Sequence, residues 1–159
     1  MEKDKMSTED IVKFYREDLY RLMRYLPYFE GKKAKDVSKM YSGEEMGAKL
    51  MSFPVYDSTL LSFVKEAGNT VLIEKNYRYV YTRHNIRTHQ DELREIDKAS
   101  LRDMDVLCGI MSKYVLGGMT KAVLWSEAVE YGIFYHVIDK ARTLIEFWDR
   151  KADKSQLNG

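Results

Sequence analysis

The sequence predicts a single, mainly α-helical domain: a helical bundle of five to seven helices with at most one small β-hairpin near residues 70–82. Three observations lead to this fold class. The chain has 159 residues, which suits one domain with a hydrophobic core. Apolar residues recur at helical spacing along most of the chain, and capping signals precede several of these runs. We expect residues 1–149 to form the domain and the polar residues 150–159 to be a flexible tail.

Capping residues predict the starts of the first two long helices. Ser7 followed by Asp10 is a capping-box pattern. Asp57 is a suitable N-cap for STLLSFVKEA, and Gly68 is a suitable C-terminal stop for that helix. Between Ser7 and Pro27 the apolar residues recur at helical spacing, and they are Ile11, Tyr15, Leu19, Leu22 and Leu26.

Residues 70–82, TVLIEKNYRYVYT, predict the β-hairpin. They are rich in β-branched and aromatic side chains, and Lys75 and Asn76 stand between two short apolar runs. On such a strand Tyr77, Tyr79 and Tyr81 would share one face, and the residues between them would share the other.

The chain after residue 87 predicts helices throughout. Capping-box patterns pair Thr88 with Asp91 and Ser100 with Asp103. The next helix is expected to begin at Thr120, after the Gly-Gly stop at residues 117–118. The last helix carries an apolar stripe at spacings of three and four residues, which predicts a core-facing side: Phe134, Ile138, Ala141, Ile145 and Trp148.

Charge and composition narrow the range of functions. The 26 Lys and Arg residues nearly balance the 25 Asp and Glu residues, which excludes a surface that is basic throughout, the usual mark of a dedicated nucleic-acid-binding protein. Cys108 is the one cysteine, so no intrachain disulfide can form and a reducing compartment is favoured. The first residues lack the apolar core of a signal peptide, and no apolar run approaches the ~20 residues of a membrane span. We expect a cytoplasmic protein without membrane contact.

No pattern in the sequence predicts a catalytic, metal or cofactor site. His84 and His89 are five residues apart, a spacing that does not align two ligands on one helix face. The glycines of LGGMTK follow a helix, and Thr120 precedes Lys121, so the order differs from that of a phosphate-binding loop. No nucleophile elbow is present. We therefore predict a non-enzymatic protein with no cofactor, no metal and no catalytic residues.

The segment YRYVYTRHNIRTH, residues 77–89, is the strongest candidate for a binding surface. It interleaves aromatic and cationic side chains and contains no acidic residue. Aromatic rings and arginines of this kind suit stacking on bases and pairing with phosphates. With the basic segment near residue 32, the candidate binding residues are Tyr77, Arg78, Tyr79, Tyr81, Arg83, His84, Arg87, Lys32, Lys33 and Lys35.

Three roles for these arginines remain open from the sequence. The following helix is acidic, so Arg83 and Arg87 could pair with Asp91, Glu92 or Glu95 and stabilise the junction between hairpin and helix, or the arginines could satisfy carbonyls at the C-terminus of a helix. The arginines could instead contact nucleic acid, or they could contact a protein partner. The structural role is favoured, because carboxylates follow so closely in the sequence.

Several longer stretches resemble an uncharacterised family of small proteins from Firmicutes phages and integrated mobile elements. The resemblance covers roughly residues 22–149, and its most specific part is SKYVLGGMTK followed by Leu-Trp. Other parts are LPYFE, FPVYD, RTHQDELREIDKASLRDMDVL and LIEFWD. The family lends no catalytic residues. The resemblance implies a role in mobile-element biology, as a replication accessory, a regulator or an inhibitor of a host defence system.

Taken together, the sequence favours a non-enzymatic protein-binding module of mobile-element or phage type. Its partner could be a host nucleic-acid-processing or defence system that it inhibits. The near-zero net charge and the 12 tyrosines favour a protein partner, because tyrosine is enriched at protein interfaces. The alternative is a nucleic-acid-binding accessory or regulatory protein that uses the basic segment 75–89. The oligomeric state is left open.

Overall fold

A computed structural model describes residues 6–42 and 52–157. Within these ranges the protein is mainly helical, with one small two-stranded antiparallel sheet, so the predicted fold class is confirmed. Two of the helices, α2 and α3, have a single turn, and seven are longer, in keeping with the five to seven expected. The helices are α1 Thr8–Met23, α2 Leu26–Phe29, α3 Ala34–Val37, α4 Ser58–Gly68, α5 Tyr77–Arg83, α6 His89–Lys98, α7 Met104–Gly117, α8 Val123–Glu130 and α9 Ile133–Leu157.

Most of the predicted helix starts are confirmed, because a capping side chain needs only its own first turn to make its bonds. Ser7 caps α1, Asp57 caps α4 and Thr88 caps α6, each by accepting a hydrogen bond from a backbone N–H three residues on. Thr120 was the wrong choice for α8. That helix begins at Val123, and the Thr120 hydroxyl donates instead to the carbonyl of Gly117.

The β-hairpin does not lie at residues 70–82 as predicted. The sheet is formed by β1, Ser38–Ser42, and β2, Ser52–Tyr56, which pair in antiparallel register with Met40 opposite Pro54. The YRYVYTR segment is the helix α5. Val80 of α5 is buried against α7 at Gly109, where an added Cβ would lie 2.8 Å from a Val80 methyl carbon. This tertiary packing overrides the strand propensity of the tyrosines and Val80.

The core is built around α7, which is buried on nearly every side and packs against α4, α5, α6, α8 and α9. Helix α9 continues to Leu157. The residues from Arg150 that were predicted to form a flexible tail are therefore helical as far as Leu157. In the described part of the chain, none of the helices combines the length and the apolar composition that crossing a membrane requires.

Candidate binding surface and the adjoining Glu92 cluster

The candidate segment folds as helix α5, a tight turn and the start of α6. The chain leaves α5 at His84 and reverses at Asn85, whose φ of 54° lies in the left-handed region that asparagine tolerates better than most residues. The N–H of Ile86 then donates to the carbonyl of Tyr81 at 2.9 Å. Thr88 follows as the N-cap of α6. The turn therefore fixes α5 beside the first turn of α6.

Helix α5 turns one face to solvent, and its cationic residues lie there. Arg78, Tyr79, Thr82 and Arg83 follow each other at helical spacing, and all four are exposed. Tyr79 is 58% exposed. We call Arg78, Tyr79, Thr82 and Arg83 the α5 surface. Its tyrosine and both arginines share one face, whereas a strand would have placed Arg78 on the face opposite Tyr79 and Arg83.

The arginines of this region do not stabilise the junction in the way the sequence suggested. Across residues 6–42 and 52–157, no ion pair joins Arg78, Arg83 or Arg87 to a carboxylate. The carboxylates expected to pair with them have other partners: Asp91 pairs with Arg94, Glu95 with Lys98, and Glu92 with tyrosines and a histidine. Arg87 does contact Asp91, but only through its backbone N–H, at 2.9 Å. The predicted structural pairing is therefore wrong.

The remaining candidate residues are spread over other parts of the fold. Tyr77 is half-buried in α5, and the half-buried His84 lines a separate cleft with Arg102 and Asp105. Tyr81 is turned inward. Three more candidates lie by the short helix α3, away from the α5 surface in every contact that the described residues make: Lys32 over the ring of Tyr28, Lys33 beside the carbonyl of Glu130 and Lys35 at the sheet.

Beneath the turn lies a buried carboxylate that the sequence did not reveal as a site. Glu92 of α6 is only 1% exposed. It accepts hydrogen bonds from the hydroxyls of Tyr81 at 2.5 Å and Tyr114 at 2.7 Å. The Nδ1 atom of His89 lies 2.9 Å from one carboxylate oxygen, and the Nζ atom of Lys113 lies 3.6 Å from the other. We call these five residues the Glu92 cluster.

The electrostatics of the Glu92 cluster follow from burial. Burial raises the pKa of both Tyr81 and Tyr114 well above the ordinary value. The next cause is the negative charge of Glu92 for Tyr81 and the hydrogen bond to Glu92 for Tyr114. Both hydroxyls therefore stay protonated and donate to the carboxylate. The Lys113 ammonium lies 5.0 Å from the ring centres of the same two tyrosines, close enough for cation–π attraction. The buried charge is thus compensated by donors from three helices.

The Glu92 cluster lies at the edge of an open cleft of about 600 Å³, which we call the Glu92 cleft. Cations reach it from the turn before α6, from α7 and from the turn before α8, through Arg87, Lys113 and Lys121. Glu127 of α8 lines it as well. Such a cleft can bind a small charged molecule through directed hydrogen bonds. Among the described residues no group of three or more histidine, cysteine, aspartate or glutamate side chains could hold a metal ion.

The sequence did carry one signal of the Glu92 cluster. Glu92 lies four residues before the buried Ile96, so a carboxylate occupies the apolar face of an amphipathic helix. Such a residue must be compensated once it is buried. Its partners Tyr81 and Tyr114 come from other elements, 11 and 22 residues away. Helical spacing within α6 could therefore indicate the carboxylate without revealing what compensates it.

Comparison with known proteins identifies no relative of this chain. No protein-family model, curated protein sequence or solved structure matches the chain. The function of this chain is therefore inferred from the geometry of the α5 surface and of the Glu92 cleft.

Proposed function

We propose that this chain is a non-enzymatic binding protein whose α5 surface contacts an acidic patch on a protein partner. The observation that carries the proposal is the exposed Tyr79, flanked by Arg78 and Arg83, whose guanidinium groups have no carboxylate partner within the described residues. Arginine and tyrosine are, with tryptophan, the residues most enriched among the energetically dominant contacts of protein interfaces. An exposed arginine without an internal partner is free to pair with a carboxylate of another molecule.

The distribution of charge along the chain supports binding of an acidic partner through the α5 surface. Residues 75–90 contain four of the 26 basic residues and none of the 25 acidic ones, so the rest of the chain carries a formal charge of −3. An acidic partner is therefore attracted to this segment and weakly repelled by the net charge of the rest of the chain, which favours encounters in one orientation. The Glu92 cluster supports the same proposal, because it fixes α6 beside α5 and so reduces the entropy lost on binding.

Features of the sequence support a compartment and a kind of partner for this protein. Cys108 is the one cysteine of the sequence, so no disulfide can form within the chain, which suits a reducing compartment, and we propose that the protein acts in the cytoplasm. The resemblance to small phage and mobile-element proteins supports a host nucleic-acid-processing or defence protein as the partner, which this chain would inhibit.

Nucleic acid is the second candidate partner, and one observation favours it. Between Glu74 and Asp91 the chain has no carboxylate, so phosphates would meet no like charge from this segment. Arg78, Arg83 and Arg87 would then each neutralise at most one phosphate, and affinity would fall steeply as salt rises. The balanced charge of the whole chain and the short α5 surface make this candidate weaker than a protein partner.

The test compares wild type with the double variant Arg78→Glu, Arg83→Glu and with the control Arg150→Glu. Arg150 is also exposed and has no ion pair among the described residues. Proteins captured from nuclease-treated host extract are purified, and their direct affinity for each variant is measured at two salt concentrations. We expect the double variant alone to lose a nuclease-resistant partner. Equal affinity of all three proteins would refute the α5 surface, and loss of capture on nuclease treatment would favour nucleic acid.

A further inference from the structure

We propose that the Glu92 cleft binds a phosphate monoester with a hydroxylated and partly apolar body, the chemistry of a mononucleotide. This ligand lies beyond the proposed protein partner and uses a different part of the molecule. The cleft has about 600 Å³ of volume, an apolar wall from Ile86 and Leu124 and cations at its rim. It therefore combines an apolar body site with a site for a compact anion.

The cations that line the cleft differ in whether their charge already interacts with other groups of the protein. Lys113 lies 3.6 Å from Glu92 and over two tyrosine rings, so its charge is already shared within the Glu92 cluster. Arg87 and Lys121 are exposed, and within the described residues neither side chain has an ion-pair partner. They come from two separate turns, before α6 and before α8, and both line the same cleft. A phosphate between them would accept charge-assisted hydrogen bonds from both.

The acidic residues of the cleft limit which anion it accepts. The charge of Glu92 is compensated internally by hydroxyls and cations, so it opposes an incoming phosphate little. Glu127 is half-buried and lines the cleft, yet it forms no ion pair with Arg87 or Lys121 in the described structure. A carboxylate at this place repels any phosphate, but it also accepts hydrogen bonds from ligand hydroxyls, so a hydroxylated monoester offsets the repulsion and inorganic phosphate does not. The pair of unoccupied cations and this carboxylate together select a phosphorylated sugar over inorganic phosphate.

The phosphate monoester could belong to a free mononucleotide or to the 5′ end of a single-stranded nucleic acid. Both present the same terminal phosphate to Arg87 and Lys121. The experiment therefore measures binding by calorimetry with four probes: adenosine 5′-monophosphate, inorganic phosphate, and one short oligonucleotide with and without its 5′-phosphate. All titrations are done at matched ionic strength, so that general charge screening is equal.

We expect adenosine 5′-monophosphate to bind more tightly than inorganic phosphate, and we expect Lys121→Ala and Arg87→Ala each to weaken it about tenfold, as for the loss of one charge-assisted bond. Arg150→Ala, outside both the cleft and the α5 surface, should leave it unchanged. Glu127→Gln should tighten inorganic phosphate. Tighter binding of the 5′-phosphorylated oligonucleotide than of its 5′-hydroxyl form would identify nucleic-acid ends as the source, and equal binding of these two forms would identify the free mononucleotide.

Two outcomes would overturn the cleft proposal. One is equal binding of adenosine 5′-monophosphate to wild type and to the Lys121→Ala, Arg87→Ala double variant. The other is the absence of any binding by the monophosphate to a wild type shown by circular dichroism to be folded. Lys121 lies outside the α5 surface, and Arg78 and Arg83 lie outside the cleft. A negative result for the cleft therefore does not contradict the proposed protein partner, and a negative result for the α5 surface does not contradict the cleft proposal.

Discussion

Replacing Glu92 with alanine should destabilise the protein strongly, because the hydroxyls of Tyr81 and Tyr114 would lose their acceptor. A buried polar group left without its partner costs about 1–3 kcal/mol, so two such groups would cost about 2–6 kcal/mol. Removing a buried carboxylate also relieves its own desolvation, which offsets part of this cost. We expect a net loss of about 3 kcal/mol in the free energy of unfolding.

The matched control for this substitution is Glu95→Ala. Glu95 lies on the same helix and is also buried, but its ion pair is with Lys98, whose side chain is 63% exposed. Such a pair contributes about 1 kcal/mol or less. Urea unfolding at neutral pH, followed by far-ultraviolet circular dichroism, measures both variants against wild type. Glu92→Gln, which keeps one acceptor oxygen, should fall between them at about 1–2 kcal/mol.

A loss below about 1 kcal/mol for Glu92→Ala, or equal losses for the two alanine variants, would mean that the tyrosine hydroxyls do not depend on Glu92 as their acceptor. A double-mutant cycle between Glu92→Gln and Tyr114→Phe gives an independent check. Residues in one hydrogen-bond network couple by about 0.5–3 kcal/mol, whereas additive effects would mean that the bond at 2.7 Å contributes nothing to stability.

Three further predictions concern packing, alkaline pH and the α5 surface. Gly109→Ala should destabilise by about 1–3 kcal/mol in the same urea assay, because its Cβ would lie 2.8 Å from the branched side chain of Val80; an unchanged midpoint would contradict this packing. The pKa values of Tyr81 and Tyr114 are raised in the folded state, so as pH rises above about 10 the unfolded chain ionises first and stability should fall. A pH titration of tyrosine absorbance alongside melting temperature would show this, and tyrosines that all ionise near pH 10 in the folded protein would disprove it. Arg83→Ala should change stability by less than about 0.5 kcal/mol in thermal melts, and a larger loss would mean that its guanidinium group has a structural role.

Helix boundaries set by local bonds could be predicted from the sequence, and those set by distant packing could not. The bonds at Ser7, Asp57 and Thr88 join residues three apart, so residue type and spacing were enough. Helix α5 depends on Val80 meeting Gly109, 29 positions along the chain, and nothing near YRYVYTR indicates that meeting. Strand propensity was therefore the best local guide there, and it was wrong because it chiefly reflects packing context.

The candidate site, too, could be predicted from the sequence only in part. The sequence identified Arg78, Tyr79 and Arg83, since a cluster of cations and aromatics is visible in the chain itself. It also suggested that acidic residues of α6 would pair with these arginines, and the structure shows those carboxylates occupied by Arg94, Lys98 and the Glu92 cluster. Which carboxylate meets which cation depends on how the helices turn relative to each other. That rotation is fixed only by the whole core.

The central position of α7 has a consequence for how the protein opens. Its amide hydrogens are enclosed by five other helices, so they should exchange with solvent only when the whole domain unfolds. Helix α5 has only seven residues and one buried side chain, Val80, and Tyr81 bonds it to Glu92, so it should open in a local fluctuation that breaks these contacts but costs less free energy than unfolding the whole domain. A partner bound to the α5 surface would then slow amide exchange mainly in α5. Exchange rates resolved by residue would thereby locate the contact while the slowest protons, those of α7, report the stability of the whole domain.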